Sequence, residues 1–159
     1  MNKRDLIKKI IARLAAELEL YFRAARAAHA EATHEQSKAE NKYDTRGLEA
    51  SYLARGQSRQ AAEIGQAMKQ FEALTIRKFA PTDPIEVGAL VDLEMKGERS
   101  LYFVGPCAGG TEIVHGKKEV LVITPQSPLG QELVGKRQGD RLNFEIGGSR
   151  NIYRVVAVS

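Results

Sequence analysis

With one cysteine, no tryptophan and no long apolar run, this chain of 159 residues excludes several classes of protein at once. The lone Cys107 rules out an internal disulfide and any metal site built from several thiolates, and reads as a small apolar residue in a loop. No stretch approaches the roughly 18 apolar residues of a membrane span. The opening MNKRDLIKKIIARLAAELEL is charged from the start and lacks the apolar centre of a signal peptide. A soluble, cytoplasmic protein with no membrane partner is expected. Catalytic constellations are missing too. His29, His34 and His115 are dispersed, no Ser/His/Asp set can be assembled, and GPCAGG lacks the spacing and terminal Lys of a phosphate loop.

Charge is present but unevenly placed. Residues 1–80 carry 15 Lys and Arg against 10 Asp and Glu, and residues 81–159 carry 9 against 10. The basic excess therefore sits in the first half, in mixed sign. On a long helical element that mixture reads as a solvated face with i,i+4 pairs, leaving duplex DNA as a weak partner at most.

The first half is periodic. Ile7, Ile11, Leu14, Leu18, Tyr21, Ala25, Ala28 and Ala32 recur at alternating gaps of 4 and 3, and so do Ala50, Ala54, Gln57, Ala61, Ile64, Met68 and Phe71. Each is a heptad seam. Between them ENKYDTRGLE, Glu40 to Glu49, breaks the seam, and Asp44 or Thr45 can cap the next helix. Alanines crowd the late part of the first seam and the early part of the second, which suits an antiparallel hairpin with a narrow tip. Arms of about 35 residues would reach on the order of 50 Å. Such a rod buries little apolar surface per residue, so its length asks for a reason; an oligomerising coiled coil is the other reading.

The period changes after KFAPTDPIEVG, where Pro81 and Pro84 end helical structure. ALVDLEM and ERSLYFVG alternate around a turn at Lys96-Gly97, and RLNFEIGG and NIYRVVAVS supply two more strands. EVLVITP is apolar enough for a central strand covered on both faces. In SPLGQELVGKRQGD, Ser127 can cap a short helix with Pro128 at its first position, and Leu129, Leu133 and Val134 can pack it on the sheet. The expected fold class is α+β: an antiparallel coiled-coil hairpin over 1–80 with its tip near 40–49, then a small antiparallel sheet domain over 81–159 with a short helix.

A helical hairpin with an acidic tip, a proline-containing linker and a sheet domain ending SPLGQELVGKRQGDRLNFEIGG resembles the bacterial transcript-cleavage factors of the GreA/GreB family. The match rests on Ser127, Pro128, Leu133, Gly135, Lys136, Gly139 and Asp140. The resemblance implies an FKBP-like sheet domain that docks on a coiled coil at the rim of the RNA polymerase secondary channel, with Gln126, Ser127 and Pro128 as the polymerase-binding loop. It implies a hairpin that enters the channel and presents two carboxylates to the polymerase catalytic centre. Asp44 and Glu49 are the candidates, with Glu40 in reserve. There they would help hold a polymerase-bound Mg²⁺ for hydrolysis of a displaced nascent RNA 3′ end, which the factor meets only indirectly. The protein would have no cofactor or metal of its own and would be an accessory factor, not an enzyme.

At the tip this chain departs from the family. The cleavage-competent pattern reads Asp-x-x-Glu-Asn-Ala-Glu-Tyr, whereas here Asp44-Thr45-Arg46-Gly47-Leu48-Glu49-Ala50-Ser51-Tyr52 puts Leu48 and Ser51 at two of the acidic positions. Two readings follow. One is stimulation of backtracked-RNA cleavage, with Gly47 letting the carboxylates converge. The other is a non-cleaving channel binder, with Asp44 a helix cap and Glu49 a first-turn charge favourable to the helix dipole. Outside the family, prolyl isomerisation by the sheet domain and nucleic-acid binding by the coiled coil are the competing classes. Aromatic residues at 6% leave few rings for a proline pocket, and duplex binding predicts a steep salt dependence.

Overall fold

The structure, a computed structural model, describes residues 1–33 and 46–159, with side chains at 1–27, 30, 31, 56 and 58–159. Its elements are α1 (Lys3–Thr33), α2 (Arg46–Glu72), β1 (Leu90–Met95), β2 (Glu98–Val104), β3 (Glu112–His115), β4 (Lys118–Ile123), α3 (Pro128–Leu133), β5 (Arg141–Ile146) and β6 (Ser149–Val158). No described helix is long and apolar enough to cross a membrane. The chain divides into two compact units, one of Ile11–Lys69 and one that joins Met1–Ile10 to Gln70–Ser159.

The Ile11–Lys69 unit is the helical hairpin. On α1 the seam residue Leu14 is buried and Ile11, Leu18, Tyr21 and Ala25 are half-buried; on α2 Ala61 is buried and Ile64 and Met68 are half-buried. The seam positions are thus the less exposed side of each helix. Outside the seam, Glu19 pairs with Arg23 at 3.2 Å and Arg26 at 3.4 Å, and Arg13 with Glu17 at 3.7 Å. All are exposed pairs worth a few tenths of a kcal/mol. The mixed charge of the first half is, at these residues, a solvated face.

The second unit is built on a six-stranded sheet in the order β3-β4-β2-β1-β6-β5. Contrary to the antiparallel expectation, β2 and β4 run parallel, with Leu101 opposite Val120 and Val104 opposite Ile123. The cause is β3, which the sequence reading missed. After β2 the chain loops through residues 105–111, runs back as the outermost strand and reverses at Gly116-Lys117, so β4 enters beside β2 in the same direction. Four residues with one buried apolar side chain, Ile113, give almost no alternation to detect.

One face of the sheet carries Val91, Leu93, Val104, Ile123, Leu142, Tyr153 and Val155, closed by Leu133 of α3 and by Phe79 and Ile85 of the linker. Phe144 meets Tyr153 edge to face, ring centroids 6.4 Å apart. The opposite face carries Leu90, Phe103, Val120 and Val122, all buried. Here the ends of the long helices take part: Leu6 and Ile10 are wholly buried, and a Cβ at Gly105 would lie 2.9 Å from Val122 Cγ1 and 3.0 Å from Phe71 Cζ. The β4 run is therefore covered on both sides, as its composition predicts, although it lies second from the edge.

Candidate functional site

Ile123 ends β4, and the backbone turns at once: the N–H of Ser127 donates to the carbonyl of Thr124 at 3.0 Å. The Ser127 hydroxyl donates to the same carbonyl at 2.7 Å and accepts from the N–H of Gly130 at 3.1 Å. Ser127 is thus the N-cap of α3, with extended φ and ψ, and Pro128 occupies the first helical position where no N–H is needed. Gly130 is required by close approach: a Cβ there would lie 1.8 Å from the Thr124 carbonyl oxygen. The side chain of Gln131 donates back to the Gln126 carbonyl at 3.1 Å, and Leu133 anchors the helix in the core.

This loop gives the three predicted docking residues different parts. Gln126 and Pro128 are exposed and available to a partner. Ser127 is half-buried and its hydroxyl is spent on the loop itself, fixing the conformation in which its neighbours are exposed. Val134, expected to pack α3 on the sheet, is instead 40% exposed, because it is the C-cap residue where the chain leaves the helix, and with Gln131 it adjoins Gln126 and Pro128 on the surface. Gln131 was not singled out from the sequence, since an exposed Gln on one helical turn looks like any solvated face.

The glycine-containing run that follows, Gly135 to Asp140, is scaffold. Gly135 donates to the Ile85 carbonyl at 2.8 Å, Ile85 to the Lys136 carbonyl at 2.7 Å, and Arg137 Nε to the Thr82 carbonyl at 2.9 Å. Asp140 Oδ2 accepts from the Arg137 N–H at 2.8 Å, and Gly139 and Asp140 bond Val155. These residues tie the linker and the last strand to the base of α3, holding the loop rigid.

Of the tip residues, Asp44 and Glu40 lie outside the described residues. Glu49 falls in the first turn of α2, which begins at Arg46, and its side chain lies outside the described set. Among the described residues no group of three or more His, Cys, Asp or Glu gathers to hold a metal ion. Burial raises the Cys107 thiol above its ordinary range, which disfavours the thiolate.

A further polar cluster joins the start of α1 to the linker. Lys3 is buried, and its ammonium donates to the carbonyls of Arg77 and Gly88 and lies 4.7 Å from the centre of the Phe79 ring. On the same ring the Arg77 guanidinium stacks at 3.9 Å while pairing with Glu86 at 2.5 Å and Asp83 at 3.4 Å. Burial first, and the Arg77 charge second, pull the Lys3 amine below its usual value.

Residues 80–159 match the family model described as transcription elongation factor GreA/GreB, C-terminal. The chain is 31% identical over 119 residues to the transcription inhibitor protein Gfh1 of Thermus thermophilus, covering 73% of this chain and 72% of that protein. Among solved structures it is similar to the GreA factor homolog 1 protein of Thermus thermophilus, with 25% identity over 94% of both chains and a TM-score of 0.39. It is also similar to Gfh1 of Thermus aquaticus, with 27% identity over 92% of both and a TM-score of 0.40.

Proposed function

The chain belongs to the GreA/GreB family of transcription elongation factors, and from that premise we propose that it is an accessory factor of bacterial RNA polymerase that occupies the secondary channel and restrains transcription without stimulating cleavage. The observation that carries this reading is the tip, where Leu48 and Ser51 stand at positions that are acidic in the cleavage-competent pattern. The relative named a transcription inhibitor supports the same direction. In this reading the sheet domain docks through the loop at Gln126 and Pro128, held in shape by the Ser127 cap. The hairpin supplies reach: α1 has 31 residues, a length of roughly 46 Å at 1.5 Å per residue. The protein contributes position and charge, and the chemistry stays with polymerase.

Cleavage stimulation is the second reading, favoured by the two carboxylates that remain, Asp44 and Glu49, with the permissive Gly47 between them. If they converge, their charge would favour a Mg²⁺ held by polymerase. The separating experiment is a defined backtracked elongation complex, scored for 3′ cleavage and for nucleotide addition, with wild type, Asp44→Ala and Glu49→Ala. Slower addition with no gain in cleavage, relieved by Gln126→Ala or Pro128→Ala, is expected. Faster cleavage lost in both tip variants would replace it with the second reading. No binding to core polymerase at low salt would sink both.

A further inference from the structure

The two edges of the sheet are managed differently. At the β3 edge the strand is only four residues long, and Lys9 Nζ donates to the Val114 carbonyl at 3.0 Å. The other edge, β5, runs for six residues with two exposed isoleucines beside it, Ile146 at 54% and Ile152 at 62% exposure. An open edge of this kind is a template for another strand.

Which groups of β5 face outward follows from the hairpin. Ile146 is opposite Ser149 across a two-residue turn, with positive φ at both Gly147 and Gly148 as a type I′ turn demands. The flanking pair of such a turn is hydrogen-bonded, and pairs alternate from there. Leu142, Phe144 and Ile146 therefore spend their backbone groups on β6, while Arg141, Asn143 and Glu145 aim theirs at the open edge. The same rule applied to the β3–β4 turn makes Val114 outward, where the Lys9 bond is found.

We propose that β5 is a self-association edge, and that two copies pair their β5 strands antiparallel about Asn143. In that register Arg141 lies opposite Glu145 of the partner subunit, Asn143 opposite the partner's Asn143, and Leu142 opposite the partner's Phe144. Every residue with outward backbone groups meets another, so the ladder closes, and one face is charge-complementary while the other is apolar. The pairing also resolves an imbalance within one chain. Arg141 sits directly across from Arg154, whose own partner is Glu94 at 3.2 Å, and Arg141 has no carboxylate within ion-pair distance among the described residues. The partner's Glu145 supplies one. Ile152, opposite Asn143, adds apolar surface beside the two-fold axis. One pair of short strands buries less than the roughly 1,200 Å² of a stable interface, so the dimer dissociates on dilution.

The test is sedimentation equilibrium of the full chain up to roughly 1 mM, spanning dissociation constants from about 1 μM to about 1 mM. Wild type should show a monomer–dimer equilibrium that weakens with salt. Asn143→Pro removes only an outward N–H, which an edge strand tolerates, and should be monomeric. Arg141→Glu places a carboxylate across from Arg154, leaves the hairpin sound and should weaken the dimer at least tenfold; adding Glu145→Arg should restore it. Wild type that stays monomeric at the highest concentration overturns the proposal. So does a charge swap with no loss and no rescue, or an Asn143→Pro dimer as tight as wild type, which would place association elsewhere, for instance on a helical seam. Circular dichroism checks folding, and if Asn143→Pro does not fold, the charge-swap series decides.

Discussion

Lys3 stands three and four residues before Leu6 and Ile7, on the stripe of α1 that faces the core, where an ammonium is costly unless its protons are accepted. Two carbonyls, of Arg77 and Gly88, and the face of Phe79 take that part. Lys3→Met keeps most of the volume and leaves the two acceptors unsatisfied, so it should lower stability by about 1–3 kcal/mol in urea titrations. The pH dependence gives a second readout. Because the folded amine lies below its ordinary 10.5, the unfolded chain binds more protons in the interval between the two values, and wild-type stability rises with pH across it. Tyr102 acts in the opposite sense. Its phenol is raised above 10.0 by burial, then by Tyr153, so stability falls once the unfolded tyrosine ionises. Unfolding measured as pH rises toward 10.5 should therefore show a rise in wild type that Lys3→Met lacks; parallel curves would remove the amine from the account.

At the scale of the element, α3 is too short to be stable alone and depends on its cap, its proline and Leu133. Ser127→Ala removes the acceptor for the Gly130 N–H and the donor to Thr124, and should cost about 1 kcal/mol. Ser127→Thr, which keeps both bonds, should restore the urea midpoint and with it any loss of polymerase binding; a restored midpoint without restored binding would mean that the loss at the partner does not pass through the cap. The short helix, its cap and its proline were legible because each is a local rule of a few residues. The heptad seams were legible for the same reason, carried by Leu14, Leu18, Ala61 and Ile64. What escaped depends on contacts distant in sequence. β3 has too few residues for a period, and the parallel pairing of β2 with β4 follows only once β3 is known. Gly130 reads as an unremarkable helix residue until the Thr124 carbonyl is placed against it. The capping role read for Ser127 is the one the structure shows, and it spends the hydroxyl inside the loop.

For the molecule as a whole, the boundary between the two compact units does not coincide with the end of the helices. Met1–Ile10 belongs to the same compact unit as Gln70–Ser159, so the first turns of α1 are part of the sheet domain's core, while Ile11–Lys69 forms a unit of its own. Two leucines on one helix should then report different things. Leu6 is wholly buried in the sheet unit, and Leu6→Ala should cost about 2–5 kcal/mol and speed amide exchange at Val120 and Val122, on the face that the helix ends help to close. Leu18 is a half-buried seam residue of the hairpin. Leu18→Ala should cost less and speed exchange along α1 and α2 while leaving β4 protected, because the lost contacts lie in the other unit. Native-state hydrogen exchange on the two variants distinguishes this arrangement from a single cooperative body, in which either substitution would raise exchange throughout. Under the proposed function, in which the hairpin reaches a catalytic centre while the sheet domain stays docked, separate cooperativity would leave the docking loop intact when the tip is changed, and tip variants such as Glu49→Ala should therefore alter activity without altering affinity for polymerase.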